Sequence, residues 1–200
     1  MTRHLSPDER IDQILTAART CFLAKGYFAT KMDEIARESG LSKGGIYFHF
    51  ASKREIFRSL VQQEYDAAMA FIDGVQALGG DVIGMLVQLG EHFVEQFAAD
   101  REQPRFMVII GEMALRDEAI QEMLLELQQS YIDRIATILE LGMAQGQLRV
   151  VDARSIAVML KALIDGIQAT FAVGFEPDLE TLLPATMDIL MRGLVVDPKA

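Results

Sequence analysis

Apolar residues recur at helical spacing along almost the whole chain, and no stretch shows the strict alternation that is typical of a half-buried strand. The first helix is predicted over residues 7–25, because Ser6, Pro7 and Glu9 form an N-terminal capping signal. Gly26 follows it and is the residue type that most readily ends a helix in the left-handed conformation. The pattern predicts an all-α protein.

Further helices follow from the same combination of periodicity, N-caps and glycine breaks. Two are short, one from Thr30 to about Gly40 and one from Ser42 to about Phe50. The others are predicted from Ser52 to the Gly79-Gly80 pair and near residues 81–99, 104–115, 117–145, 153–174 and 179–193. Pro184 has to lie in a first turn or kink its helix, which leaves open a later start for the last one.

Composition separates this chain from disordered, secreted and membrane-spanning proteins. Half of its residues are apolar (50%), and no run of eighteen consecutive apolar residues occurs. The first ten residues lack the apolar core of a signal peptide, so we expect a cytoplasmic location and no membrane partner. Cys21 is the single cysteine, which excludes an internal disulfide, and its position predicts a buried thiol.

Charge is distributed unevenly, and this asymmetry is more informative than the net value of -10. Residues 1–58 contain ten Lys and Arg against seven Asp and Glu, whereas residues 59–200 contain nine against twenty-two. A basic module on an acidic body would direct one end of the molecule toward phosphates. For the body alone, solvation of long helices explains the acidic surplus equally well.

The segment from Thr30 to Lys53 has the layout of a DNA-binding helix-turn-helix. Ala36 is small where two helices must cross closely, and Gly40 stands where the turn requires a positive φ. Gly44 would let the backbone approach a groove edge or a phosphate. The segment therefore predicts that the second of its two helices, which is the third helix of the chain, reads DNA.

The third helix is predicted to have two faces. Lys43 and Tyr47 are four residues apart and share one stripe, while Ile46 and Phe50 form the adjacent stripe that faces the core. Lys43 can donate to guanine O6 or N7. Phe48 and Phe50 are both expected to pack, because readers of duplex DNA rarely need aromatic stacking.

The stretch Gly26–Phe57, GYFATKMDEIARESGLSKGGIYFHFASKREIF, resembles the N-terminal signature of the tetracycline-repressor (TetR/AcrR) family of transcriptional regulators. The features that recur together and in order are the Gly-Tyr entry, Thr30, Ile35-Ala36, Gly40, Ser42-Lys43-Gly44, Tyr47, His49-Phe50 and Ser52-Lys53. Over residues 59–200 the resemblance is only architectural. It implies a three-helix helix-turn-helix DNA-binding domain at 1–51, joined by a linking helix to a helical effector-binding and dimerisation domain at 52–200.

The resemblance also assigns roles to individual residues. Lys43, Gly44 and Tyr47 would lie in the major groove, and the predicted phosphate contacts are Thr30, Ser42, His49 and Lys53. Gly45 stands where many relatives carry a side chain that touches a base, so sequence readout there would be reduced.

For the acidic body, the resemblance implies a cavity for a small hydrophobic effector and a dimer face. The residues proposed for the cavity wall are Phe93, Phe106, Met113, Tyr131 and Phe171. The helices at 153–174 and 179–193 would form the dimer face, through Ile156, Met159, Leu160, Leu163, Ile164, Ile167 and Phe171. A two-fold dimer of reading heads would require a near-palindromic operator on double-stranded DNA.

The leading interpretation is a ligand-responsive transcriptional repressor that an effector releases from its operator. An enzyme is disfavoured, because three histidines, one cysteine and the absence of hydrolase, metalloprotease and dinucleotide motifs leave little catalytic material. We expect no cofactor and no metal. A small-molecule-binding protein with vestigial DNA binding, and a transcriptional activator, stay open as alternatives.

Overall fold

The computed structural model describes residues 6–196, apart from the side chains of Val94, Phe97 and Ala98. Within this range the chain is helical, with no strand beyond one isolated bridge, and the all-α prediction is confirmed. The helices are α1 Pro7–Ala29, α2 Met32–Glu38, α3 Lys43–His49, α4 Lys53–Leu78, α5 Val82–Ala99, α6 Gln103–Ala114, α7 Glu118–Ala144, α8 Ala153–Ala172 and α9 Leu179–Leu194.

Local signals set the start and the break of α1. The backbone N–H of Ser6 donates to the Glu9 carboxylate at 2.7 Å, and the Glu9 N–H donates to Ser6 Oγ at 3.2 Å, which completes the predicted capping box. Gly26 interrupts the helix with φ 81° and ψ 165°, a conformation that side chains disfavour. The predicted stop at Gly26 is confirmed, and one further helical turn follows it.

Aspartate side chains cap several later helices. Asp81 and Asp152 each accept a hydrogen bond from the backbone N–H of the third residue after them. Asp178 accepts one from the backbone N–H of the second residue after it. The Asp178 cap fixes the start of α9 at Leu179, and the helix continues through Pro184. A later start for the last helix is therefore wrong.

The described chain divides into two compact units. The first contains the residues up to Asp66 together with Arg105–Met123, and the second contains Ala67–Pro104 and the residues from Leu124 onward. Helices α4, α6 and α7 each contribute residues to both units. This division differs from the predicted domain boundary between residues 51 and 52.

The core of the first unit explains the difference. Phe22 of α1, Phe57 of α4 and Phe106 of α6 are all fully buried. The ring centroids of Phe22 and Phe57 are 5.5 Å apart, and those of Phe57 and Phe106 are 6.1 Å apart. Burying three aromatic rings contributes several kcal/mol, on the order of 2 for each side chain. The start of α4 and most of α6 therefore share one core with α1.

In the second unit, the end of α9 is fixed to the turn that follows α7. Leu148 and Val195 form an isolated antiparallel bridge. Beside it, the backbone N–H of Arg149 donates to the carbonyl oxygen of Leu194 at 2.8 Å. Leu148 and Leu194 are both buried, so the bridge closes an apolar corner.

Helix α8 is unusually apolar for its exposure. Its most apolar eighteen-residue stretch has a mean hydropathy of 1.4, so by length and composition the helix could cross a membrane, yet only 6% of that stretch is buried within this chain. Ala153 and Ala157 are its buried residues. Most of its apolar surface is thus left uncovered by the rest of the described chain.

Candidate nucleic-acid interface and cavity

Helices α2 and α3 form the predicted helix-turn-helix. Gly40 adopts φ 68° between them, and the backbone N–H of Leu41 donates to the Ala36 carbonyl at 3.0 Å. Ile35 and Ile46 are fully buried and attach the two helices to the core of the first unit. The prediction for this turn is confirmed, because a positive φ at Gly40 is what allows the chain to reverse.

One face of α3 is free of packing. Ser42 caps the helix, since its Oγ accepts from the Gly45 N–H at 3.1 Å. Lys43, Gly44 and Tyr47 are exposed. Lys43 Nζ lies 2.7 Å from a carboxylate oxygen of Asp33, and both side chains are solvated. Ion pairs between solvated side chains are weak, so Lys43 can exchange its partner for DNA at little cost.

Phe48 belongs to this exposed face, and the prediction that it packs is wrong. Its side chain is 85% exposed, whereas Phe50 is buried as expected. Ile46 and Phe50, four residues apart, define the buried stripe of α3, and Phe48 lies about 200° around the helix from Ile46. The helical period places Phe48 beside Tyr47, and this signal was present in the sequence.

Thr30 has a structural role that the sequence did not predict. Its side chain is 1% exposed, and its hydroxyl donates to the carbonyl oxygens of Cys21 at 3.1 Å and Gly26 at 2.8 Å. The N-cap of α2 is Lys31, not Thr30 as predicted. Because the hydroxyl satisfies carbonyls at the break in α1, it is not presented to a phosphate in this arrangement.

Lys53 is also engaged at the end of α1. Its ammonium donates to the carbonyl oxygens of Tyr27 and Thr30, each at 2.6 Å, and lies 4.3 Å from the centroid of the Tyr27 ring. Burial lowers the pKa of Lys53. The cation is a second donor to the Tyr27 carbonyl, which also accepts from the Thr30 N–H, and it gives the Thr30 carbonyl a donor just beyond the end of the helix. Of the four predicted phosphate contacts, Ser42 is exposed and His49 is half-buried.

Arg54 and Asp117 form an ion pair in the first unit. The Arg54 guanidinium donates to both carboxylate oxygens of Asp117, each at 2.6 Å. Asp117 also accepts from the backbone N–H of Ala119 and so caps α7. The bond from Arg54 holds the pKa of Asp117 below its ordinary value. This pair joins the first turn of α4 to the connection between α6 and α7.

The second unit contains an apolar cavity of about 110 Å³ among the described residues. It is lined by residues of α5, α7, α8 and α9, namely Leu86, Leu89, Gly90, Phe93, Tyr131, Ile135, Leu160, Leu163, Ile164, Ile167, Leu179, Leu183, Thr186, Met187, Leu190, Met191 and Leu194. None of these carries a charge. Two residues of the predicted wall, Phe93 and Tyr131, lie on it. Phe106 and Met113 are instead buried in the first unit, and Phe171 is not among the lining residues.

The residues predicted for the dimer face divide into those that line the cavity and those that do not. Leu160, Leu163, Ile164 and Ile167 line the cavity, although Leu163 is 42% exposed and the other three are half-buried. Ile156 and Phe171 are half-buried outside the lining, and Met159 is exposed. The exposed side of α8 is instead a row of mostly small residues at alternating spacings of four and three, formed by Ser155, Met159, Ala162, Gly166 and Ala169.

Two family models match these two parts of the chain. The model described as bacterial regulatory proteins, tetR family, matches residues 14–60, which contain the helix-turn-helix. The model of the BetI-type transcriptional repressor, C-terminal, matches residues 84–194, more than half of the chain. The chain belongs to the TetR family. It is a transcriptional regulator, and the resemblance read from Gly26–Phe57 is confirmed.

Individual relatives agree with this assignment. The uncharacterized HTH-type transcriptional regulator YfiR of Bacillus subtilis is 30% identical over 165 residues, covering 80% of this chain and 78% of that protein. FadR from Bacillus subtilis, solved in complex with stearoyl-CoA, has a TM-score of 0.75 at 22% identity over 91% of this chain and 98% of that one. A regulator from Saccharomonospora viridis in complex with choline has a TM-score of 0.79 at 21% identity over 95% and 100%. The two structures show that this regulator shares their fold.

Proposed function

We propose that this TetR-family regulator is a repressor that binds a near-palindromic operator as a homodimer and leaves it when a small apolar effector fills the cavity. The observation that carries the proposal is the unpacked face of α3, where Lys43, Gly44, Tyr47 and Phe48 lie side by side. Such a face can enter the major groove only if no other part of the chain covers it. A regulator of this kind works where the chromosome lies, so the proposal includes a cytoplasmic location.

The contacts divide into two kinds. Lys43 would donate to guanine, Tyr47 would donate or accept at a base edge, and Phe48 would pack on a thymine methyl group. Ser42 and His49, at the two ends of α3, would contact phosphates. Gly45 offers no side chain, so recognition depends on few bases in each half-site. Thr30 and Lys53 would act through the backbone that they hold in place.

Two copies of α3 are needed to read a palindrome. The apolar and largely uncovered surface of α8 supports pairing with a second copy, because its row of small residues would allow two helices to approach closely. Two reading heads would then lie about one helical turn of DNA apart, roughly 34 Å. An effector that favours another separation would release the operator, and α4 is the helix that could transmit the change because it has residues in both units.

Footprinting on the DNA upstream of the regulator's own gene tests the proposal. We expect protection of two half-sites spaced by about one helical turn, with an affinity that falls steeply as salt rises from 50 to 200 mM. Lys43→Ala should weaken binding and relax the choice of sequence at one position of each half-site. Protection that is absent at low salt, or that does not depend on sequence, would refute the proposed function.

A further inference from the structure

Two residues of the cavity wall carry a hydroxyl group, Tyr131 and Thr186, and Tyr131 is the more deeply buried of the two. Tyr131 lies on the cavity wall with only 5% of its surface exposed, and its hydroxyl makes no hydrogen bond with a described residue. Buried hydroxyl groups nearly always have a partner, and a partnerless one calls for an explanation. The hydroxyl is also not fully occluded, because no described side-chain polar atom is both buried and without a partner. Because Tyr131 is one of the lining residues, the proposed ligand site includes this hydroxyl on its wall.

The protonation state of Tyr131 decides what kind of partner it accepts. Burial raises its pKa, and the negative charge of Asp165 raises it further. The phenol thus stays protonated at every physiological pH and acts as a hydrogen-bond donor. A ligand that satisfies it has to bring an acceptor oxygen or nitrogen.

Charges around Tyr131 disfavour a cation. The Lys161 ammonium lies 5.4 Å from the centroid of the Tyr131 ring and is paired with Asp165 in the next turn of α8. One face of the ring is thus already occupied by a positive charge, which would repel a second one. No carboxylate lines the cavity, so a quaternary ammonium would lose its hydration without gaining a counter-ion.

The wall of the cavity favours an aliphatic ligand. The cavity volume of about 110 Å³ is below the roughly 150 Å³ of a cavity known to hold benzene, so an octyl chain needs the wall to move. The wall is formed mainly by Leu and Ile, with Met187 and Met191 of α9 as the adaptable side chains.

We propose that the cavity binds an aliphatic chain carrying one carbonyl oxygen, and that this oxygen accepts a hydrogen bond from Tyr131. The chain fills the apolar part of the cavity, and the carbonyl group satisfies the hydroxyl that the protein leaves without a partner. This ligand class rests on the proposed function, in which the cavity is the effector site. It excludes choline-like cations for this regulator.

Direct binding to the full-length regulator without DNA tests the ligand class. The probe is methyl octanoate, with octanoate as an anion on the same chain, octyltrimethylammonium as a cation on that chain and choline as a cation without it. In calorimetric titrations, methyl octanoate should bind at least tenfold more tightly than either cation. It should also bind more tightly than octanoate, whose carboxylate would lose its hydration without gaining a counter-ion.

Tyr131→Phe separates the hydrogen bond from the apolar contacts. The variant should bind methyl octanoate about tenfold more weakly, the factor that corresponds to one hydrogen bond of about 1.4 kcal/mol. Its melting temperature without ligand should not fall, because the hydroxyl has no described protein partner to lose. Tyr65→Phe, at a tyrosine of α4 that does not line the cavity, is the matched control and should bind as the parent does.

The outcomes distinguish the two proposals. If either cation binds as tightly as methyl octanoate, or if Tyr131→Phe binds methyl octanoate as well as the parent does, the ligand class is wrong. If no probe binds while operator binding is intact, the ligand class is also wrong and the DNA-binding function stands. If methyl octanoate binds through Tyr131 but does not release the operator, the ligand class stands and effector control of DNA binding fails.

Discussion

Phe48 projects from a helix whose other large apolar side chains, Ile46 and Phe50, are buried. An 85% exposed phenylalanine gains nothing from folding, so its place beside Tyr47 on α3 is best explained by contact with another molecule. In the major groove, the apolar group that a phenyl ring can meet is the methyl group of thymine. Binding to DNA therefore predicts one specific contact for Phe48, with the methyl group of a thymine.

Replacing Phe48 with alanine should weaken operator binding about fivefold without changing thermal stability, since the ring packs against little of the protein. The measurement is fluorescence anisotropy with two operators, one normal and one with every thymine replaced by uracil, which removes only the methyl groups. The parent should prefer the thymine operator, and Phe48→Ala should bind both equally.

Two results would contradict this role for Phe48. A parent that binds the thymine and uracil operators equally would show that no methyl group is read. A melting temperature several degrees lower for Phe48→Ala would show that the ring packs in the protein.

Among the helices, α7 begins with a charged cap that is also one half of the Arg54–Asp117 pair. Asp117→Asn keeps a residue that can cap a helix but removes the carboxylate, so the loss of about 1 kcal/mol reports mainly on the ion pair. Asp188→Asn is the matched control, because Asp188 pairs with Arg192 on the exposed face of a single helix. We expect the control to change stability by less than about 0.5 kcal/mol.

The same pair predicts a dependence on pH. The pKa of Asp117 in the folded protein is lower than its ordinary value of 3.8, so the unfolded chain binds a proton more readily. The stabilisation is fully present above pH 3.8 and is lost as the pH falls through the lower folded value. In denaturation series from pH 7 to pH 2, the parent and Asp117→Asn should converge only at the acid end. A constant difference across the whole series would contradict this assignment.

The helix boundaries could be predicted from the sequence because their causes are local. The Ser6–Glu9 capping box, the Asp152 cap and the break at Gly26 each depend on residues within one turn. Periodicity also identified the buried stripe of α3. Phe48 was assigned to the core because it is aromatic, although its position two residues after Ile46 places it on the opposite face of the helix.

Contacts between distant residues could not be predicted in the same way. The Lys53 ammonium bonds carbonyl groups that lie 23 and 26 positions earlier in the chain, and only the folded structure brings them together. Helix α8 has apolar residues such as Val158 and Met159 exposed while others line the cavity, so its pattern could not show which side faces the cavity. Leu160 and Ile164, assigned to the dimer face from the sequence, also line the cavity, and their role in a dimer stays a prediction.

For the molecule as a whole, the uncovered apolar surface of α8 bears on the oligomeric state. A helix of this hydropathy in which only Ala153 and Ala157 are buried would leave an isolated protomer prone to association. In sedimentation velocity, we expect the parent to be a dimer at micromolar concentration and Ala162→Glu to be a monomer, because a carboxylate would be buried in the row of small residues.

The expected consequence of losing the dimer is weaker DNA binding. Ala162→Glu should lower operator affinity at least tenfold, since each half-site would be bound separately. The matched control is Ala70→Glu, which adds the same charge at an exposed position of α4. A dimeric Ala162→Glu that still binds its operator would show that the interface lies elsewhere.

The bridge between Leu148 and Val195 bears on how fast a ligand can enter and leave. It fixes α9 at its C-terminal end, whereas the segment before α9 is joined to the rest of the second unit through the exposed Arg101–Glu176 ion pair. If this helix moves to admit an aliphatic chain, its first turns have to move and its last turn has to stay in place. The association rate should then respond to Arg101→Ala far more than the equilibrium affinity does, and the lifetime of the ligand complex would set how long the operator stays free.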